Sequence, residues 1–204
     1  MFRKHVGFFV ALRKSSHDVS YSSRRPRITP DLFLLLPDYC MKLKILVGTM
    51  TGTATRVAQA IQMECADLFS PIEIEPMDDL GISVFEAENP EDVIYLICTS
   101  TYGAGDVPDN AQAFYQSLDS EPRFLGHVRY GVMALGDNST HQQTFCFGGR
   151  KFDERLQDLG AQRIGELWCH DASSDSLPEA TGAEWCRHWL KDVLQRDGRL
   201  GVSP

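Results

Sequence analysis

The segment KILVGTMTGTATR, residues 44–56, constrains the fold of this 204-residue chain more than any other stretch. Ile45, Leu46 and Val47 form a short apolar run without alternation. That is the pattern of a strand buried on both faces of a parallel sheet. Gly48, Thr49, Met50, Thr51, Gly52, Thr53, Ala54 and Thr55 then turn the chain, and Val57, Ala58 and Ile61 follow at the spacing of one helix face. A strand, a loop of Gly and Thr and then a helix make a phosphate cradle. The first helical N–H groups lack internal partners, and the helix dipole puts partial positive charge beside them. Thr49, Thr51 and Thr53 add hydroxyls. The loop has neither the Lys of GxxxxGK[ST] nor the spacing of GxGxxG. Neutral donors alone are therefore expected to hold the anion. On its own the segment is equally compatible with an ordinary turn whose threonines cap the helix.

Charge divides the chain. Residues 1–40 carry seven Lys or Arg and three Asp, while residues 41–204 carry 13 Lys or Arg and 25 Asp or Glu. So acidic a main part should repel nucleic acid and anionic membranes and favour basic protein partners. No apolar run approaches the roughly 20 residues of a membrane span. The six cysteines contain no CxxC pair. Their spacing fits neither a zinc site nor a disulfide framework, so reduced, buried thiols in a cytoplasm are expected. Residues 1–40 are broken by Pro26, Pro30 and Pro37 and show no sustained periodicity. They are expected to stand outside the fold, as a disordered or targeting arm or because translation begins at Met41. Residues 41–204 are then the single folded domain.

From Met41 the pattern alternates between strand and helix. Residues 72–75 (IEIE) read as a half-exposed edge strand and 93–98 (VIYLIC) as a central one. Residues 130–135 and 164–168 supply two more, the last read as unbroken. Helices are expected over 53–68, 110–118, around Phe152, Leu156 and Leu159 up to Gly160, and over 179–194 with Trp185, Trp189 and Leu190 facing the core. Five strands with intervening helices predict a doubly wound α/β sheet, which binds ligands past the carboxyl ends of its strands. The segments leaving the strands are therefore the informative ones. After the central strand comes TSTYGAGDVPDN, residues 99–110, with two glycines for close approach to a flat ligand and an aromatic at Tyr102. Asp109 or Asn110 is placed to cap the next helix. After the following strand comes LGDNSTHQQTFCFGG, residues 135–149, small and polar with aromatics at its far end. One phosphate-like loop and one aromatic loop together predict a phosphorylated planar ligand.

These residues are recognisable. GTMTGTAT, STYGAGDVPDNAQAFYQSL and YGVMALGDNSTHQQTFCFGGRKFDERLQDLGAQRIGEL resemble the three FMN loops of the flavodoxin family. The closest likeness is to short MioC-type flavodoxins and to the FMN domains of diflavin reductases such as sulfite reductase. It covers residues 41 to about 194. The resemblance implies a five-stranded parallel sheet in the order 2-1-3-4-5 and non-covalently held FMN. Thr49, Met50, Thr51, Gly52, Thr53 and Ala54 would wrap its phosphate. Ser100, Thr101, Tyr102 and Gly103 would lie along one flavin face, with Tyr102 stacked on it and the Gly103 peptide able to turn its carbonyl toward the flavin N5–H. Leu135, Gly136, Asp137, Asn138, His141, Phe145 and Cys146 would cover the other side and the ring edge. The family tyrosine that follows Gly-Asp is missing, and His141 is its expected substitute.

The function implied is a monomeric carrier of single electrons from a basic flavodoxin- or ferredoxin-type reductase to protein acceptors, rather than a self-sufficient enzyme. No nucleophile–base arrangement argues otherwise. The alternative is an FMN-dependent NAD(P)H:quinone reductase on the same fold, although such enzymes carry insertions that this short chain lacks. A phosphoacceptor receiver domain would need an acidic pair after the first strand, where Gly48 and Thr49 stand.

Overall fold

The computed structural model describes residues 41–86 and 89–199. The expected N-terminal arm, residues 1–40, lies outside the described residues. Strand β1 (Lys42–Gly48) leads to helix α1 (Thr53–Glu64), then β2 (Ile72–Pro76), β3 (Val93–Ser100) and α2 (Asp109–Ser120). Next come β4 (Arg129–Gly136), α3 (Phe147–Asp158), β5 (Gln162–Arg163), β6 (Trp168–Asp171) and α4 (Pro178–Arg196). The sheet order is β2-β1-β3-β4, and β5 and β6 both pair with the far edge of β4. All of these pairings are parallel. Counting β5 and β6 as one position gives the expected order 2-1-3-4-5, with the IEIE strand at an edge.

The lack of alternation in β1 has a direct cause. Ile45 and Val47 join an apolar layer with Val57, Ala58 and Ile61 of α1 and Leu190 and Val193 of α4. Leu46, pointing the other way, joins Phe114 and Leu118 of α2 and Phe152 and Leu156 of α3. Helices cover both faces, so every residue of β1 from Ile45 to Gly48 is buried. Trp189 is buried and Trp185 stacks on it at 5.7 Å, itself half-buried.

Two expectations about extent are corrected. Helix α1 stops at Glu64, because Cys65 leaves helical geometry at φ −113° and ψ 5°. The last strand is not continuous over 164–168. Gly165 takes φ +76°, and the Ile164 carbonyl accepts from the Trp189 indole at 2.7 Å instead of from a neighbouring strand. The break lets β5 pair low on β4 and β6 pair high on it, beside the candidate site. A polar cluster anchors the lower piece. Arg163 of β5 pairs with the buried carboxylate of Asp153 in α3, which also accepts from the Tyr130 hydroxyl at 2.8 Å. Burial first, and then this carboxylate, push the Tyr130 phenol well above its ordinary range.

Candidate functional site

The loops leaving β1, β3 and β4 converge at the carboxyl edge of the sheet. In the first, Gly52 stands at the N-cap of α1 in the left-handed region, φ +80°, which a side chain adopts only under strain. No side chain caps this helix, so the alternative of an ordinary turn with threonine caps is not what the structure shows. The Thr49 hydroxyl instead accepts from the Gly52 N–H at 3.0 Å and curls the loop on itself. The amides of the first helical turn are thus left without a side-chain cap, as an anion site requires. Thr51 and Thr53 hydroxyls stand 3.4 Å apart. The expectation of purely neutral donors is amended by Arg56. Its Nη2 donates to the Thr53 hydroxyl at 3.1 Å, and its Nε donates to Glu179 of α4 at 2.9 Å. A guanidinium therefore stands beside the cradle, oriented from the opposite end of the sequence.

Asn110 does not cap α2; Pro108 holds that position and no side chain caps the helix. Its carboxamide accepts from the Thr49 N–H at 2.7 Å and donates to the Val47 carbonyl at 3.3 Å. It clamps the first loop to the second. Met50, exposed, adds a weaker tie through its sulfur to the Asp109 N–H at 3.3 Å.

The second loop is a tight turn. Tyr102 and Asp106 bridge, each N–H donating to the other's carbonyl at 2.8 Å. Tyr102 in this turn is 48% exposed, and a Cβ built on Gly103 beside it would meet nothing within 4 Å. Gly103 is thus open to a ligand, whereas Gly105 serves packing. A Cβ on Gly105 would come within 2.9 Å of the Thr144 side chain in the third loop. The Thr101 N–H donates to the Leu135 carbonyl at 2.9 Å, and its hydroxyl accepts from Gly148 of α3 at 3.2 Å. Ser100 is half-buried at the strand end. Asp106 pairs with Lys151 of α3 at 2.7 Å.

The third loop is held by two carboxylates. Asp137 accepts from the Ser139 hydroxyl and N–H at 2.6 and 2.9 Å, and from the Thr140 hydroxyl and N–H at 2.8 and 3.2 Å. Ser139 first, and then Thr140, hold its carboxyl down at about 2. Asp171, at the end of β6, accepts from the Asn138 N–H at 3.0 Å and from Ser173, which lowers its carboxyl as well. His141 is exposed and its N–H donates to the Asp137 carbonyl at 3.1 Å. Phe145 is half-buried against Gly136. Ala54, Leu135 and Cys146 are buried, so these three can offer a ligand only backbone.

Sequence reading missed Arg56, Asp171 and the true task of Asn110. Arg56 was findable, one turn beyond Gly52. The partners of Asp171 and Asn110 lie 33 and 61 residues away, with no local signal. Among the described residues there is no cluster of His, Cys, Asp and Glu able to hold a metal, and no helix is long and apolar enough to cross a membrane.

An uncapped helix N-terminus for a phosphate, an exposed tyrosine beside an open glycine and a second polar loop fit one phosphorylated planar cofactor. Comparison with known proteins agrees. The flavodoxin family model matches residues 45–185. Flavodoxin YqcA of Escherichia coli is 35% identical over 156 residues, spanning 72% of this chain and 95% of that one. The sulfite reductase [NADPH] flavoprotein alpha-component of Vibrio cholerae is 37% identical over 155 residues, 75% of this chain and 23% of that one. The structure of a cysteine-to-alanine mutant of flavodoxin from Pseudomonas aeruginosa superimposes with a TM-score of 0.62 at 30% identity, covering 74% of this chain and 97% of that one. The chain belongs to the flavodoxin family, FMN-binding electron carriers.

Proposed function

We propose that the three loops hold FMN and that the protein passes single electrons from a reductase to protein acceptors. The observation that carries this reading is the uncapped N-terminus of α1, together with the exposed Tyr102 turn of the second loop. Thr49, Met50, Thr51, Gly52, Thr53 and Ala54 bind the phosphate through N–H and hydroxyl groups, and Arg56 offsets part of its charge. Ser100, Thr101, Tyr102 and Gly103 line one face of the ring. Gly136, Asp137, Asn138, His141 and Phe145 line the other side, joined by the backbone of Leu135 and Cys146. Bound FMN supplies the redox chemistry; the protein supplies orientation and electrostatics. The flavin edge stays near the surface, where a partner can reach it, because neither Tyr102 nor His141 is covered.

The working unit is residues 41–204, a cytoplasmic monomer whose partners are basic. Asp109 and Asp137 at the loops, with the excess of acids in the folded part, supply the complementary field. The test is the visible spectrum of the FMN-loaded protein under anaerobic conditions. NADPH alone should leave it oxidised, and a catalytic amount of a flavodoxin-type reductase should then bleach it. Rapid bleaching by NADPH alone, with turnover of a quinone, would make the protein the alternative quinone reductase.

A further inference from the structure

Cys146 and Cys169 meet at the edge of the site, and the flavin reading, which takes only the backbone of Cys146, leaves both thiols unused. Cys169 in β6 is the register partner of Ala134 in β4, so the two share a face of the sheet. Ala134 packs on Gly149, which places that face toward α3. Cys146, the N-cap residue of α3, has its thiol directed into the same seam. It donates to the Ala134 carbonyl at 3.4 Å and lies 4.0 Å from the His170 carbonyl. From the first turn of α3, Arg150 Nη2 approaches the Cys169 sulfur at 4.0 Å. Cys146 is buried and Cys169 half-buried, so only Cys169 has access to solvent.

The ionisation of the two thiols is opposed. Interaction with the Cys146 thiol, opposed by burial and helped by the Arg150 charge, lowers the Cys169 thiol below its ordinary range. The same interaction and burial push Cys146 far up. Cys169 is therefore the more readily ionised of the two sulfurs, and Cys146 the one that holds its proton. A thiolate is the nucleophile toward peroxides, and access decides which thiolate reacts.

We infer that Cys169 and Cys146 form a hydroperoxide-sensitive dithiol, in which Cys169 is the attacking sulfur and Cys146 the resolving one. The Cys169 thiolate attacks the terminal peroxide oxygen. The O–O bond breaks, the departing alkoxide takes a proton, and Cys169 becomes a sulfenic acid. The Cys146 sulfur then displaces hydroxide, which leaves as water with the Cys146 proton. In sum two thiols and one hydroperoxide give a disulfide, an alcohol and water. Two electrons pass from sulfur to the O–O bond.

The chain carries its own control. Cys65 and Cys186 also interact, but both are fully buried, as is Cys98. The experiment treats the full chain with hydrogen peroxide in the dark, with and without FMN, and follows alkylation and disulfide-linked peptides by mass spectrometry. The first product should be a Cys146–Cys169 link in both preparations, so the result is independent of what the loops bind. Cys169→Ser should abolish it. Cys146→Ser should leave a sulfenic acid on Cys169 that a dimedone probe captures. Arg150→Gln should slow the reaction about two- to fivefold at pH 7 by raising the thiol. A first link at any other cysteine, or no dimedone adduct at Cys169 in Cys146→Ser, would overturn the assignment.

Discussion

Arg56 shows how a single side chain alters the electrostatics of a cradle. Thr51 and Thr53 hydroxyls alone would hold a phosphate with neutral donors, but the Arg56 guanidinium donates to Thr53 and is itself held by Glu179. Replacing Thr51 and Thr53 with Ala should weaken FMN binding by about 1–3 kcal/mol. Arg56→Gln should weaken it less, remove much of its salt dependence and leave riboflavin binding unchanged. Fluorescence titration at two ionic strengths reads both effects. Asp137 belongs to the same scale. Four hydrogen bonds from Ser139 and Thr140 favour its charged form, so its folded pKa lies below the unfolded value of roughly 4. The loop therefore gains stability above that pH and loses it as the pH falls toward about 2. Carboxyl NMR should show Asp137 titrating at about 2, and an ordinary midpoint would refute the turn as drawn.

At the scale of elements, the first strand, loop and helix were legible because their signal is local: an apolar triplet, a Gly and Thr turn and a helical spacing. The last strand was not. Its apolar residues read as one run, while the break depends on the Trp189 indole taking the Ile164 carbonyl from 25 residues away. Asn110 was misread for the same reason: its side chain, a good cap by residue type, is spent on Thr49 and Val47. The lower piece, β5, depends on Asp153. Removing that carboxylate breaks the Arg163 pair, while Tyr130 loses one acceptor and keeps the Asp153 backbone carbonyl at 3.2 Å. Asp153→Ala should cost about 1–3 kcal/mol of stability in urea unfolding, because it removes a part-buried charge-assisted hydrogen bond and one acceptor of Tyr130. Asp153→Asn, which keeps an acceptor for Tyr130, should cost less. Equal and negligible losses would show that β5 is held by packing alone.

At the scale of the whole molecule, residues 41–204 carry an excess of acids, and that charge division was plain in the sequence. Which acids contribute was not. Asp106 is paired with Lys151, whereas Asp109 has no ion-pair partner among the described residues. Asp109→Asn should therefore slow electron transfer with a basic reductase at low salt more than a distant acid would. Rates should fall as salt rises and exposed charges are screened beyond roughly 8 Å at physiological ionic strength. Stopped-flow reduction across a salt series checks this, and a flat profile would argue against electrostatic docking. The central claim, that these loops hold FMN by its phosphate, is tested most directly by titrating flavin-free protein with FMN and with riboflavin. FMN should bind far more tightly, and the difference should shrink in the Thr51→Ala/Thr53→Ala variant. Equal affinity for the two flavins in the unaltered protein would contradict it.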